Sequence, residues 1–119
     1  MQREVRAYVL DIIEACDAIA LDVHNLPLDA YEASRLVRSA VEREFITIGE
    51  AVAVLRGTAP DVFERIAHAR QIVDFRNQLT HAYMTVNDTI VWGIAVRDAP
   101  LLRRECADLL AQMDQSAAD

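Results

Sequence analysis

The sequence has few of the residues that interrupt helices. It contains 3 Gly and 3 Pro in 119 residues, and no long segment alternates apolar and polar residues as a half-buried strand does. Ala, Leu, Glu, Arg and Ile are frequent, which favours helices throughout. With 53% hydrophobic residues and no repeat or linker, the whole chain, residues 1–119, is predicted to fold as one all-α domain.

Long apolar runs are also missing. Charged residues interrupt each apolar stretch well before the roughly 18 residues that a membrane span needs, and no basic start followed by an apolar run opens the chain. We therefore expect a soluble, unprocessed protein that does not bind a membrane. The two cysteines, Cys16 and Cys106, fit no metal-ligand spacing and lie in apolar helical patterns. Packed thiols in a reducing cytoplasm are the expected arrangement.

An excess of positive charge is missing as well. The chain has 12 basic and 19 acidic side chains and a net charge of −7, which argues against a protein that coats nucleic acid by bulk electrostatics. Any contact with RNA must therefore be local. The three histidines, His24, His68 and His81, do not have the spacing of a metal site, so we expect no metal ion and no other cofactor.

The first half of the chain predicts two long helices. Apolar residues recur at spacings of three and four from Arg3 to Val23 and again from Ala30 to Arg56, with Gly57 as a stop for the second helix. Asp29, followed three residues later by Glu32, suggests a capping box for that helix. Because the second helix is long for a soluble domain, we expect it to form an antiparallel hairpin with the first.

The second half predicts shorter helices. One helical region runs from Val62 to Tyr83, with a break near residues 67–69. A short apolar helix around Trp92 follows, and Asp98 and Pro100 suit the cap and first turn of a last helix. We expect Trp92 to anchor the core or a dimer interface, with base stacking as the alternative. The prediction is a bundle of four or five helices.

The segment RNQLTHAY, residues 76–83, is unusually polar for a helix in a small bundle. If it is helical, one stripe carries four polar side chains: Asp74, Asn77, Gln78 and His81. Asn77 and His81 are one turn apart and can touch. Arg76 and Tyr83 are seven residues apart and would share another face, while Arg76 and His81 differ by about 140° around the helix axis. The two can converge on one ligand if the long Arg76 side chain curls across the groove, or if a second copy of the helix faces the first across a two-fold axis.

An arginine and a histidine together suit cleavage of a phosphodiester without a metal ion. A histidine of unperturbed pKa about 6.5 can accept or give a proton at cellular pH, and arginine presents a planar set of donors to phosphate oxygens. We expect His81 to move the proton of the ribose 2′-hydroxyl or of the leaving 5′-oxygen, Arg76 to stabilise the phosphorane, and Asn77 to orient His81 or the phosphate. A solvated face with Arg76 paired to Asp74 is the alternative.

The middle of the second helix supplies further candidates. Gly49 lies inside a helix, where it costs about 1 kcal/mol relative to Ala, so we expect the close approach of another helix there. Glu50 beside it is a candidate partner of Arg76 or His81, with an ordinary ion pair elsewhere as the alternative. We take Glu50 and Asp74 as candidate supporting residues.

The string RNQLTHAY matches the R-polar-x3-H-x-Y signature of HEPN-domain proteins and resembles that of the HepT-like toxins in particular. Two further segments are similar to that family: VEREFITIGEAV, with its I-G-E-A element, resembles the long second helix, and DTIVWGIAVRDAPLL resembles the part that follows the motif. The resemblance covers most of the chain in the right order. Ala82 is a departure, because other members have Gly there.

The resemblance implies an all-α, HEPN-like homodimer whose two facing motifs form one cleft for RNA cleavage. It makes Arg76, Asn77 and His81 catalytic in an endoribonuclease toxin that yields 2′,3′-cyclic phosphates. It makes Tyr83 the target of adenylylation by a minimal nucleotidyltransferase antitoxin, in a heteromer that can be larger than the dimer. The alternative is a non-catalytic HEPN module that binds a nucleotidyltransferase or a nucleotide, and an inert helical bundle is a third.

Overall fold

Helices form almost all of the computed structural model, which describes residues 3–118. Seven α-helices occur in these residues: α1 (Val5–Asp22), α2 (Leu28–Ala33), α3 (Arg35–Thr58), α4 (Pro60–Glu64), α5 (Ala69–His81), α6 (Asp88–Gly93) and α7 (Ala99–Ala118). Tyr83–Thr85 form a 3₁₀ turn, and Ile94–Asp98 form a π-helical turn. The described residues contain no strand, so the all-α prediction is confirmed.

The four long helices hold the core. α1 packs against both α3 and α7, and α3 packs against α5 on its other side. The buried face of α1 has the predicted spacing, with Val9, Ile12, Cys16 and Ile19 almost free of solvent. Burying an aliphatic side chain of this kind contributes about 1.5–3 kcal/mol. Cys16 and Cys106 are buried free thiols, as predicted.

The predicted second helix is in fact two helices. α2 ends at Ala33 and α3 begins at Arg35, because the backbone of Ser34 is extended and its Oγ accepts a hydrogen bond from the Val37 N–H at 3.2 Å. The predicted capping box at Asp29 is wrong. α2 already begins at Leu28, and the Asp29 carboxylate accepts from the N–H of the next residue instead.

Two predicted helix ends also differ. α3 continues through Gly57 to Thr58 and stops because Ala59 precedes a proline, which disfavours helical backbone; Ala59 has φ −147° and ψ 69°. The predicted cap at Asp98 does not exist, since the backbone stays helical from α6 into α7. The π turn accommodates Pro100, which lacks an N–H and would clash with a carbonyl one α-helical turn earlier.

Two other predictions are confirmed. The helical region before the motif is interrupted, since α4 ends at Glu64 and α5 begins at Ala69. Trp92 packs against the core, and its indole N–H donates to the Leu26 carbonyl at 3.0 Å. Across residues 3–118, no helix is long and apolar enough to cross a membrane.

Candidate functional site

α5 carries most of the predicted site but ends two residues before Tyr83. His81 is its last residue, Ala82 has φ −135° and ψ 42°, and Tyr83 begins the 3₁₀ turn. The sequence-based argument that Arg76 and Tyr83 share one helical face is therefore wrong. The structure places Tyr83 beyond the helix end.

Side-chain hydrogen bonds hold this turn in place. Gln78 Nε2 donates to the Thr85 carbonyl and to Thr85 Oγ1, both at 3.3 Å. The Thr85 hydroxyl and the Thr85 N–H both donate to the Ala82 carbonyl, at 2.7 Å and 2.9 Å, and so close the turn after α5. Gln78 is half-buried and stabilises the turn. The prediction that it lies on an open polar stripe with Asn77 and His81 is therefore wrong.

Arg76 packs tightly against α3 at Gly49. A Cβ atom at position 49 would lie 2.2 Å from the Arg76 Cβ and 2.6 Å from its Cγ, closer than any side chain allows. The expected close approach of a helix at Gly49 is confirmed. Beside this contact, the Phe45 and Phe75 rings meet edge to face with centroids 5.3 Å apart. The two helices thus fix the base of the Arg76 side chain.

The guanidinium of Arg76 retains an unused donor. Its Nε is buried and has no hydrogen-bond partner among residues 3–118. A buried donor left unsatisfied costs about 1–3 kcal/mol, so a bound oxygen atom at this position would be favourable. Arginine donors fit phosphate oxygens well in both charge and geometry.

Asn77 and His81 form an exposed pair on α5. Both side chains are exposed and lie one helical turn apart, with His81 in the last turn. Thr80 braces the helix between them, since its hydroxyl lies 3.1 Å from the Arg76 carbonyl and 3.2 Å from the Asn77 carbonyl. The pair therefore sits on a regular, fixed backbone.

The two candidate supporting residues are exposed and do not join the site through ion pairs. Within residues 3–118, no ion pair includes Glu50 or Asp74. Neither the expected pairing of Glu50 with Arg76 or His81 nor the alternative pairing of Arg76 with Asp74 forms in the single protomer. A supporting role for Glu50 or Asp74 stays a prediction.

Tyr83 faces a carboxylate that the sequence analysis missed. Its side chain is 55% exposed, whereas Glu42 of α3 is only 7% exposed. The Coulomb interaction with Glu42, together with partial burial and a hydrogen bond to the same carboxyl, raises the pKa of Tyr83. Burial raises the pKa of Glu42, and the hydrogen bond with Tyr83 opposes that shift.

Other polar groups surround this pair. Tyr31 of α2 is fully buried, and neither its hydroxyl nor Glu42 Oε2 has a hydrogen-bond partner among the described residues. Arg38 Nε lies 3.8 Å from Asp88 Oδ2 nearby. A signal for Glu42 was present in the sequence. It lies seven residues before Gly49, two helical turns earlier on the same stripe of α3.

Asn77 and His81 lie on an open surface in the single protomer, whereas Arg76 is half-buried. An apolar groove of about 560 Å³ runs between α3, α5 and α7, but its lining includes Ile72 and Phe75 and none of the three predicted catalytic residues. In the described part of the chain, no three His, Cys, Asp or Glu side chains are grouped to hold a metal ion.

Known proteins resemble this chain over nearly its whole length. The sequence profile of the family described as "Ribonuclease HepT-like" matches residues 9–109. Among its relatives in Methanocaldococcus jannaschii, "Putative RNase MJ1380" is 25% identical over 104 residues, 87% of this chain and 94% of that protein. "Putative RNase MJ1216" is 25% identical over 115 residues, 95% of this chain and 93% of that protein. "Probable ribonuclease HepT" of Thermococcus cleftensis is 27% identical over 106 residues, 87% and 93% of the two chains. No solved structure matches it.

Proposed function

The chain belongs to the HepT-like ribonuclease family, and we propose that it is a metal-independent endoribonuclease toxin with Arg76, Asn77 and His81 as its catalytic residues. The observation that carries this proposal is the position of Arg76. Gly49 leaves room for its side chain against α3, and its buried Nε lacks a partner that a phosphate oxygen would supply.

The reaction is an attack of the ribose 2′-oxygen on the adjacent phosphorus. The 2′-O–H bond breaks, the 2′-O–P bond forms, and the P–O5′ bond breaks to give a 2′,3′-cyclic phosphate and a 5′-hydroxyl. His81 moves the proton of the 2′-hydroxyl or of the leaving oxygen. Arg76 stabilises the charge of the phosphorane, and Asn77 orients His81 or the phosphate.

The cleft is formed by two copies of the chain. Arg76 and His81 point about 140° apart around α5, so one helix cannot direct both side chains at one phosphorus without bending the arginine away from its packed base. A second motif across a two-fold axis supplies the missing group. This arrangement accounts for the open surface at the motif in one protomer.

Tyr83 is the control point of the toxin. A minimal nucleotidyltransferase antitoxin transfers AMP to its hydroxyl, and the ring is 55% exposed and so open to such a partner. Because Tyr83 lies two residues beyond His81, the AMP group adds its bulk and negative charge at the His81 end of the cleft. RNA is then excluded by steric overlap and by repulsion between phosphates.

The test is cleavage of an RNA oligonucleotide by the purified protein in EDTA. Arg76→Ala and His81→Ala should each lower the rate by about 10²–10³-fold, the usual value of one transition-state donor or one acid–base group. Arg70→Ala and His68→Ala remove the same residue types from exposed positions outside the motif and should cleave normally. Mass spectrometry should find 2′,3′-cyclic ends. Cleavage that requires Mg²⁺, or that survives both motif substitutions, contradicts the proposal.

A non-catalytic module that binds a nucleotidyltransferase is the second candidate. The net charge of −7 and the exposed apolar side chains of Ile90 and of Met84, which follows Tyr83 in the chain, favour a protein partner. This candidate predicts tight complex formation that His81→Ala does not weaken. It also predicts no growth inhibition when the chain is expressed alone.

A further inference from the structure

α3 places two residues opposite the motif. Glu42 and Gly49 are seven residues, or about two helical turns, apart on one stripe of α3. Gly49 receives the base of Arg76, and Glu42 faces the Tyr83 hydroxyl. The helix that fixes the phosphate-binding arginine therefore also fixes an acid beside the tyrosine.

This acid is costly to the fold. Glu42 is the one buried charged side chain among residues 3–118, and its Oε2 has no hydrogen-bond partner there. The nearby cation, Arg38, lies against Asp88. Burial of a carboxylate without full compensation destabilises a protein, and such groups are concentrated at functional sites.

We propose that Glu42 is the general base for modification of Tyr83. The phenol proton passes to the Glu42 carboxylate as the Tyr83 oxygen attacks the α-phosphorus of a nucleoside triphosphate. The Tyr83 O–P bond forms, the bond from that phosphorus to the bridging oxygen breaks, and pyrophosphate leaves. That Tyr83 is modified belongs to the proposed function; the new inference is that this chain supplies the base.

The chemistry needs such a base. Repulsion from Glu42 raises the pKa of Tyr83, so its hydroxyl is protonated at neutral pH and is a weak nucleophile. A carboxylate beside that hydroxyl can remove the proton during attack, an effect of about 10²–10⁴-fold in general base catalysis. Once protonated, Glu42 is neutral and does not repel the phosphate attached to Tyr83. The exposed tyrosine thus faces the partner while its base stays behind it.

The reactivity of Tyr83 can be measured without a partner enzyme. An aryl sulfonyl fluoride transfers its sulfonyl group to a phenol oxygen as fluoride leaves, and the same phenol proton must be removed. We expect Tyr83 to react faster than Tyr8, the other tyrosine that is not fully buried, and Glu42→Gln to slow Tyr83 by at least about 10-fold. Peptide mass spectrometry gives both rates. Equal rates in Glu42→Gln and the parent chain, or no excess of Tyr83 over Tyr8, would overturn the proposal.

Two controls separate catalysis from folding. Glu44→Gln makes the same change two residues further along α3 and should leave the Tyr83 rate unchanged. Thermal unfolding of Glu42→Gln shows whether the variant is folded, and the nearly equal size of the two side chains favours that outcome.

The transferase reaction then distinguishes the two proposals. With a purified minimal nucleotidyltransferase and ATP, the parent chain should gain AMP on Tyr83, Tyr83→Phe should gain none, and Glu42→Gln should gain it at least about 10-fold more slowly. No AMP on the parent chain contradicts the proposed modification, and the sulfonyl fluoride rates still decide the role of Glu42. Equal AMP transfer to the parent chain and Glu42→Gln contradicts the role of Glu42 alone.

Discussion

The contact between Gly49 and Arg76 leaves no room for a side chain larger than a hydrogen atom at position 49. Gly49→Ala adds a Cβ that would lie 2.2 Å from the Arg76 Cβ, so α3 and α5 must separate or the arginine must move. We expect a loss of about 1–3 kcal/mol in the free energy of unfolding. RNA cleavage should fall further than the loss of folded protein explains, because Arg76 is displaced in the molecules that still fold.

Gly57→Ala is the matched control for this prediction. It changes the same residue type in the same helix, and nothing lies within 4 Å of the added Cβ. It should stabilise α3 by up to about 1 kcal/mol and leave cleavage unchanged. Urea denaturation and cleavage rates measure both variants. Full activity in folded Gly49→Ala would show that the position of Arg76 does not depend on this contact.

We expect Glu42→Gln to stabilise the protein by an amount that depends on pH. Its pKa is raised above the ordinary 4.5 by burial, so its favourable contribution is present below that pH and is lost as the pH rises through the folded-state pKa. Glu42→Gln cannot ionise and should therefore exceed the parent chain in melting temperature at neutral pH, with the difference shrinking in acid.

The groups that face Glu42 from neighbouring elements are Tyr31, Arg38, Tyr83 and Asp88. Glu42→Gln leaves all four of these groups in place, so the difference between the two proteins reports on Glu42. A gain in melting temperature that is constant with pH would instead indicate a change in packing.

The residues of the motif could be predicted from the sequence, but not all of the residues that surround them in the structure. Arg76, Asn77 and His81 follow from spacing, and Gly49 from the cost of glycine in a helix. Glu42 was missed because Tyr83, the motif residue that it faces, lies in the turn after α5 and not on the helix. That turn rests on Gln78 and Thr85, whose hydrogen bonds join residues seven apart in a non-helical segment.

At the scale of elements, periodicity predicted the helices better than their ends. Buried faces recur every three or four residues, and this signal identified α1, α3, α5 and α7. The ends depend on single contacts: Ser34 caps α3, whereas the sequence pattern favoured Asp29, and Pro100 is accommodated by a π turn that widens the helix. Local sequence does not decide such competitions, since packing of the whole bundle selects among them.

The cap at Ser34 can be tested directly. Its Oγ accepts from the Val37 N–H at 3.2 Å, and removal of a cap of this kind costs about 0.5–2 kcal/mol. Ser34→Ala should therefore lower the free energy of unfolding by about that amount. Ser39→Ala, at an exposed position inside α3, should be neutral or slightly stabilising because Ala is the better helix former. Equal effects in guanidinium denaturation would mean that Ser34 contributes no cap.

At the scale of the whole molecule, the negative net charge opposes the binding of RNA at the motif. A chain of net charge −7 repels RNA at long range, so binding depends on the few cations at the motif. Two facing motifs double that local positive charge, which gives an electrostatic reason for a dimer in addition to the geometric one. The angle between Arg76 and His81 in the sequence predicted a dimer with a shared cleft. The structure is that of a single protomer, so the dimer stays a prediction.

Mixed dimers decide whether the cleft is shared. Arg76→Ala and His81→Ala are each expected to be inactive, but a dimer with one subunit of each keeps one intact arginine opposite one intact histidine. If the two groups act across the interface, mixing the variants under conditions that exchange subunits should restore a substantial fraction of cleavage. If each protomer works alone, every subunit in the mixture lacks a catalytic group and the mixture stays inactive.

A mixture of Arg76→Ala with Arg76→Ala,His81→Ala contains no intact arginine and is the control for recovery caused by mixing itself. Recovery in the first mixture but not in the second would establish that Arg76 and His81 of different subunits act on the same phosphate.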